Sequence, residues 1–319
     1  MTTWFLYAVP ALVFISGALV WGKPEPMGLL GYAGFLKRRL AVVGVPYLIW
    51  TILYFAANQF FDLGVQATGA FGAVRLFVIE LLSGGASYHL YFVPVLMVLY
   101  VLTPVTRWAV RRSPEAVLAF GLSASLWGYG VARVLGAASR HPGDFRLPLT
   151  MLVQLAPYMA LGAWYAARRK TVDPVLRWGW LILLVGGAWA RMADWSALGL
   201  AQPARLVVAS VAGALIVLGL VGGFGWLPGK NRTADARVLS LSALAYGVYL
   251  AHPLVILAGR LVIGRFEAWS VWGSVPFVLG AYVVVVTATF ALVALLRRAP
   301  VLRWATGEGV AARGASGKR

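Results

Sequence analysis

The chain has 319 residues, of which 61% are hydrophobic and only 12% are charged, and its formal net charge is +18. Soluble domains carry about 25% charged residues, so this composition, with recurring runs of about 20 apolar residues, favours a helical membrane protein. The runs do not alternate in polarity, which excludes a membrane β-barrel, and no nucleic-acid-binding motif accompanies the positive charge. The chain contains no cysteine and only three widely spaced histidines, so we predict neither a disulfide nor a metal site.

Apolar stretches follow one another along most of the chain and predict an all-α, polytopic fold. We expect one membrane-embedded domain over residues 1–298, followed by a basic, flexible tail at residues 299–319. A shorter stretch at residues 71–84 carries Arg75 and Glu80, which is typical of an interfacial or re-entrant helix. The nine predicted spans are 4–22, 41–61, 90–107, 115–135, 147–167, 177–193, 204–224, 238–259 and 273–296.

Most of the 28 Lys and Arg residues lie in every second loop and in the C-terminal tail. Basic loops face the cytoplasm, so we predict a protein of the cell membrane whose C-terminus is cytoplasmic. With nine spans, the N-terminus would then lie outside, only three residues ahead of the first span. A chain that lacks an earlier helix would show the same pattern.

Three consecutive basic residues, Lys37, Arg38 and Arg39, stand at the predicted cytoplasmic entrance of the second span. They are typical of a positive-inside anchor, with Tyr47 and Trp50 in an interfacial aromatic belt. Arginine also presents a planar fork of donors that suits phosphate, so the same residues could hold a cytosolic donor that carries phosphate groups. The sequence leaves both interpretations open.

His89 stands at the outer entrance of the third span. It can be an interfacial polar residue in contact with water, or a general base, because histidine has the unperturbed pKa nearest neutrality. Glu80 lies shortly upstream, and its carboxylate could orient the imidazole ring.

His252 lies well inside the eighth span and is followed by Pro253, which removes a backbone donor. Ionisable residues at membrane depth are candidates for function, although hydrogen bonding between helices would also explain this one. Tyr249 precedes His252 by three residues and therefore shares its helix face, whereas Tyr246 is offset.

Arg191 and Asp194 are three residues apart at the outer end of the sixth span and predict a local ion pair. Several signatures are absent: the Walker loop, the dinucleotide fingerprint and the GxSxG elbow. Carboxylates are scarce inside the spans, which argues against a pump that relays protons through Asp or Glu.

Three stretches, in this order, resemble the acyltransferase-3 family, the multi-span bacterial membrane O-acyltransferases that modify surface carbohydrates. They are VPALVFISGALVWG with FLKRRLAVVGVPYLIW, then YHLYFVPVLMVLYVLTPV, then LAYGVYLAHPLVI. The resemblance implies transfer of an acyl group, usually acetyl, from cytosolic acyl-CoA to a hydroxyl of a lipid-linked or extracellular glycan. Acyl-CoA would be a co-substrate, and no bound cofactor is implied.

The resemblance assigns a role to some residues of this chain but leaves other functional positions of the family without a counterpart. Arg39 matches the first arginine of the family's Arg-x-x-Arg element, with Arg38 beside it, but Val42 stands where the second arginine is expected. The family's first helix, which carries a histidine held to be catalytic, has no counterpart here. His89 and His252 are then the candidates for the base, with Glu80 and Tyr249 in support. Two alternatives remain: a transporter or flippase for a polysaccharide or lipid-linked sugar, and a non-catalytic partner subunit.

Overall fold

The computed structural model describes residues 8–22, 28–61, 66–134, 146–197, 199–224, 232–263, 275–299 and 302–306. These residues form helices and short connections, and no strand occurs among them, in agreement with the all-α prediction. The helices are α1 (Ala8–Val20), α2 (Leu29–Arg39), a π-helical segment (Leu40–Gly44), α3 (Val45–Phe60), α4 (Gly69–Ser83), α5 (Phe92–Val101), α6 (Thr103–Arg112), α7 (Pro114–Val134), α8 (Arg146–Met192), α9 (Gln202–Phe224), α10 (Arg232–Ile263), α11 (Val275–Leu296) and a 3₁₀ turn (Leu302–Thr306).

Helix α8 departs from the predicted pattern because its 47 residues cover two predicted spans and the loop expected between them. Arginine and lysine are good helix formers, so a basic run does not by itself end a helix. The charges are also neutralised locally: Arg168 Nε donates to Glu115 at 2.6 Å, and Arg169 Nε donates to Asp173 at 3.1 Å. The predicted loop is therefore wrong, and the chain stays helical through it.

Two helices in the described part of the chain are long and apolar enough to cross a membrane, Leu29–Phe60 and Ala204–Phe224. A third is added if α5 and α6, which meet at a bend of 63°, are counted as one span. Apolar helices shorter than this occur at Val9–Val20, Leu244–Gly259 and Gly280–Leu296. The prediction of nine spans is thus not confirmed by helix length and composition.

The chain falls into two compact units. The first comprises Met1–Leu36 and Pro94–Pro228, and the second comprises Lys37–Val93 and Gly229–Arg319. In the first unit, α1 packs on α8 so closely that a Cβ on Gly17 would overlap the carbonyl oxygen of Met159, and one on Gly162 would overlap that of Phe14. Small residues allow helix backbones to approach in this way. We call the pair Gly17 and Gly162 the glycine seam.

In the second unit, aromatic side chains of α3 and α10 reach the backbone of neighbouring elements. Trp50 Nε1 donates to the carbonyl oxygen of Ala305 at 2.9 Å, and the Tyr54 hydroxyl donates to that of Leu250 at 2.7 Å. The Tyr246 hydroxyl donates to the carbonyl oxygen of Val43 at 2.8 Å, in the π-helical segment. These hydrogen bonds fix α3 against α10 and position the site described next.

Candidate functional site

The two candidate histidines meet in the second unit. His89 lies in the connection between α4 and α5, His252 lies in α10, and the ring centroids are 5.1 Å apart at an interplanar angle of 65°. Tyrosine rings and one serine hydroxyl surround them. We call this group, Tyr54, Ser87, Tyr88, His89, Tyr249 and His252, the histidine cluster.

The connection at residues 84–91 is folded tightly enough to place His89 against α10. Gly84 ends α4 with φ +74°, a left-handed conformation that favours glycine, and a Cβ there would overlap the backbone of Tyr91. The amide of Leu90 donates to the carbonyl oxygen of Ser87 at 3.0 Å, which closes a turn around His89. Asn58 Nδ2 of α3 donates to the carbonyl oxygen of Ala86 at 2.9 Å and holds the connection in place.

Pro253 determines which nitrogen of His252 carries the proton. In a helix the amide of residue 253 would donate to the carbonyl oxygen of Tyr249, but proline has no N–H. His252 Nδ1 instead lies 2.6 Å from that oxygen. A carbonyl oxygen only accepts, so Nδ1 carries the proton and donates it, and in the neutral ring Nε2 is the acceptor.

The accepting nitrogen of His252 is reached by Tyr88. The Tyr88 hydroxyl lies 3.2 Å from His252 Nε2 and donates to it, because the Nε2 lone pair can only accept. Tyr88 is 70% exposed and His252 is half-buried. The lone pair of His252 therefore lies where a hydroxyl group from outside the protein can replace that of Tyr88.

His89 occupies a different environment, since only 3% of its surface is exposed. Its Nδ1 lies 3.1 Å from the Ser87 hydroxyl, and its buried Nε2 has no hydrogen-bond partner among the described residues. Burial, and secondarily the neighbouring His252, lower the pKa of His89 to about 3. The ring is therefore neutral near pH 7.

Tyr249 joins the two histidines. Its ring lies 5.7 Å from that of His252, which confirms that the two share a helix face, and 5.3 Å from that of His89. Its hydroxyl donates to the backbone carbonyl oxygen of His89 at 2.9 Å. Tyr249 thus fixes the backbone that carries His89 and not its imidazole.

Glu80 makes no hydrogen bond to His89 among the described residues. It is only 2% exposed, its Oε2 has no hydrogen-bond partner among the described residues, and the His89 ring is held by Ser87 instead. Burial raises the pKa of the Glu80 carboxyl. The structure describes a hydrogen bond between the imidazole and Ser87 and none between the imidazole and Glu80, so the supporting role of Glu80 stays a prediction.

Arg38 and Arg39 end α2, Arg38 exposed and Arg39 half-buried. Val42 lies within the π-helical segment that follows, so no guanidinium stands at that turn of the helix. Fifteen residues separate Arg39 from Tyr54 along this continuous helix, or ~22 Å at about 1.5 Å per residue. The arginines are therefore remote from the histidine cluster.

Tyr54, Ser87 and Tyr88 were not predicted as members of the site. Ser87 and Tyr88 stand beside His89 in the sequence, so their adjacency was the available signal, whereas nothing near Tyr54 points to residues 196 positions away. Within the described residues, no group of three or more His, Cys, Asp or Glu could hold a metal ion.

Two neutral histidines pack closely together in this helical protein, and one of them presents an acceptor nitrogen. An enzyme that transfers a group to a hydroxyl needs such a nitrogen to take up the proton of that hydroxyl. The comparison with protein families agrees with this class. A family model described as an acyltransferase domain matches residues 1–294, so the chain belongs to the acyltransferase-3 family and is an acyltransferase. No curated protein and no solved structure matches the chain.

Proposed function

We propose that this acyltransferase moves an acyl group, most simply acetyl, from cytosolic acyl-CoA to a hydroxyl of a cell-surface or lipid-linked glycan. The family match supports acyl transfer. The choice of acyl-CoA as donor and of a glycan as acceptor rests on two observations. Three sequence stretches resemble the acyltransferase-3 family, and the basic segment at Arg38 and Arg39 is separated from the histidine cluster within one unit.

Acyl-CoA has the shape that this separation requires. Its phosphates are at one end, and its thioester is at the tip of a long, thin arm. The guanidinium groups of Arg38 and Arg39 would bind the phosphates. The thioester would then lie near Tyr54, ~22 Å further along the same helix at 1.5 Å per residue. Val42 removes one potential phosphate ligand, so Arg38 substitutes for it in this proposal.

His252 is the base in this proposal, and the observation that carries it is the hydrogen bond from its Nδ1 to the Tyr249 carbonyl oxygen. With Nδ1 protonated, Nε2 accepts the proton of the acceptor hydroxyl. The hydroxyl oxygen forms a bond to the thioester carbonyl carbon, and the C–S bond breaks. The proton on Nε2 then passes to the departing CoA thiolate, so the enzyme ends the cycle unchanged.

His89 is a positioning residue in this proposal. Its Nε2 is buried and its pKa is about 3, so a substrate hydroxyl neither reaches it nor is deprotonated by it efficiently near pH 7. Its ring instead packs against His252 and holds the geometry of the cluster.

A membrane location is supported by apolar side chains that point away from the protein. On α8, Trp178, Ile182, Val185 and Trp189 form one stripe at helical spacing and are each more than half exposed. A soluble monomer rarely exposes such a stripe. The stripe supports a location in the cell membrane, and the distribution of basic residues along the sequence supports a cytoplasmic C-terminus.

The test is label transfer from acetyl-CoA carrying a labelled acetyl group to glycan in membranes that contain the full-length protein. General-base catalysis contributes 10²- to 10⁴-fold, so His252→Gln should lower the rate by about 100-fold or more. The matched control is His141→Gln, which replaces the remaining histidine of the sequence and should leave the rate unchanged. Arg39→Ala should raise the KM for acetyl-CoA with a smaller effect on kcat.

Two results would overturn the proposal. An unchanged rate of transfer by His252→Gln would show that His252 is not the base. Absence of transfer by the natural protein would favour a non-catalytic partner subunit. A deletion strain separates enzyme from transporter: glycan that is exported but lacks acyl groups supports the enzyme, whereas acylated glycan that accumulates inside the cell supports a transporter.

A further inference from the structure

A cavity of about 190 Å³ lies in the first unit, where α8 ends and α9 begins. Arg191, Asp194, Trp195 and Arg205 line it. The lining thus includes two arginines and one aspartate around a space large enough for a ligand. An engineered cavity of about 150 Å³ holds benzene, so a single six-membered ring with a substituent fits.

The carboxylate does not neutralise both arginines. The predicted ion pair between Arg191 and Asp194 does not form. Asp194 Oδ1 instead accepts hydrogen bonds from the Ser196 hydroxyl and from the Ser196 amide, the latter at 3.0 Å. The Ser196 hydroxyl, followed by the amides of Ser196 and Ala197 and the charge of Arg205, holds the pKa of this carboxyl below its usual range. The cavity therefore keeps one positive charge in excess.

Arg205 is half-buried at the wall of the cavity. Its Nε is buried and has no hydrogen-bond partner among the described residues. Because that atom is closed off, an anion in the cavity would pair with the terminal nitrogens of the guanidinium group, whose positive charge attracts it. A carboxylate suits a guanidinium because its two oxygens match two parallel N–H donors.

Trp195 supplies a fixed wall. Its indole Nε1 donates to the carbonyl oxygen of Ala190 at 2.7 Å, and its ring packs edge-on against Trp189 at 5.7 Å and 87°. The ring is therefore held in one orientation beside the arginines. An aromatic side chain next to a few convergent polar groups is common in small-molecule sites.

We propose that this cavity binds a sugar ring that carries a carboxylate, such as a hexuronic acid residue of the glycan. Its carboxylate would pair with Arg205 and Arg191, its C–H face would pack on Trp195, and a hydroxyl would donate to Asp194 Oδ2. That the sugar belongs to the acceptor rests on the function proposed above. The binding chemistry itself does not depend on it.

The test is to measure, by calorimetry, the binding of glucuronate to the full-length protein in detergent. Acyl-CoA is left out of this experiment. Wild-type protein should bind glucuronate saturably and should not bind glucose. Arg205→Gln should weaken binding about tenfold or more, since a hydrogen bond to a charged group is lost. Arg191→Gln, at an exposed position, should weaken it several-fold. Arg111→Gln, an exposed arginine elsewhere in the unit, is the matched control and should bind normally.

Inorganic phosphate is the competing ligand. Phosphate that binds as tightly as glucuronate and displaces it would overturn the assignment of a sugar, as would equal binding of glucose. Unchanged glucuronate binding by both Arg205→Gln and Arg191→Gln would overturn the site. His252→Gln should bind glucuronate normally even though it fails in acyl transfer, so failure of the catalytic proposal and failure of this one give different results.

Discussion

The glycine seam of the first unit and the histidine cluster of the second are both close-packed, but they are held together in opposite ways. At the seam, Gly17 and Gly162 have no side chains, and backbones of α1 and α8 touch directly. In the cluster, aromatic hydroxyl groups span the gap and donate to backbone carbonyl oxygens of Leu250 and His89. The packing of the seam requires residues without side chains, whereas the packing of the cluster requires particular hydroxyl groups.

This difference implies opposite sensitivities to mutation. Added volume should be intolerable at the seam, because the obstructing atoms are backbone atoms that cannot turn aside. Removal of a hydroxyl should leave the volume of the cluster almost unchanged but should strand a buried carbonyl oxygen. Stability measurements on single substitutions in the two regions can therefore separate a region that serves packing from one that serves a reaction.

The largest expected effect is at the seam. Gly17→Val would place side-chain atoms on the Met159 carbonyl oxygen and force α1 away from α8. Overpacking costs about 1–3 kcal/mol and occasionally more, and we expect the upper end here because the obstruction is backbone. The free energy of unfolding, measured by SDS titration in mixed micelles, would report the loss.

Gly186→Ala in α8 is the matched control, because a Cβ at Gly186 meets no atom within 4 Å. Alanine is favoured over glycine within a helix by up to about 1 kcal/mol, so this variant should be neutral or slightly more stable. Equal destabilisation by both substitutions would show that α1 and α8 are sensitive to any added side chain and that the seam has no special role.

The sequence predicts the helices more fully than it predicts the site. Apolar runs locate most helices because side-chain hydropathy is a local property. The helix through Arg168, Arg169 and Asp173 was mispredicted because the basic run was taken as a loop. The pair Arg169–Asp173 has the i,i+4 spacing of a helix, whereas Glu115, the partner of Arg168, lies 53 positions away and cannot be found locally. The same limit applies to Tyr54, which joins the cluster through a contact between residues 196 positions apart.

The chemistry of the cluster is partly local and so partly predictable. Pro253 after His252 is visible in the sequence, and it dictates an unpaired Tyr249 carbonyl oxygen that the imidazole can satisfy. The approach of His89 to His252 is not local, since it requires the turn at Gly84 and joins residues that are far apart in the sequence. Sequence therefore identified both histidines as candidates without showing that they meet.

The next largest effect is on the pH dependence of stability. His89 has a pKa near 3 when folded and near 6.5 when unfolded, so only the unfolded chain takes up its proton between these values. Stability from this group is complete above pH 6.5 and is lost as the pH falls towards 3. The loss should approach about 1.4 kcal/mol per pH unit below 6.

The measurement is the free energy of unfolding at pH 7 and at pH 5 for the wild type and for His89→Gln. The raised pKa of Glu80 acts in the opposite direction, but it is present in both proteins and cancels in the difference. An identical pH dependence of the two proteins would show that His89 is solvated in the folded state, and the contrast between a buried His89 and an accessible His252 would fail.

The smallest effect, and the one that best separates structure from reaction, comes from paired tyrosine substitutions in the second unit. Tyr249→Phe and Tyr47→Phe each remove a hydroxyl that donates to a backbone carbonyl oxygen, of His89 and Leu81 respectively. Each should cost about 1–2 kcal/mol of stability, the cost of a stranded buried acceptor. Of these two tyrosines, Tyr249 contacts both histidine rings, so Tyr249→Phe and not Tyr47→Phe should also lower kcat for acyl transfer, by several-fold at equal stability loss. If the two variants lose activity equally, the hydroxyl of Tyr249 acts through stability alone, and the cluster is held by its rings and not by this hydrogen bond.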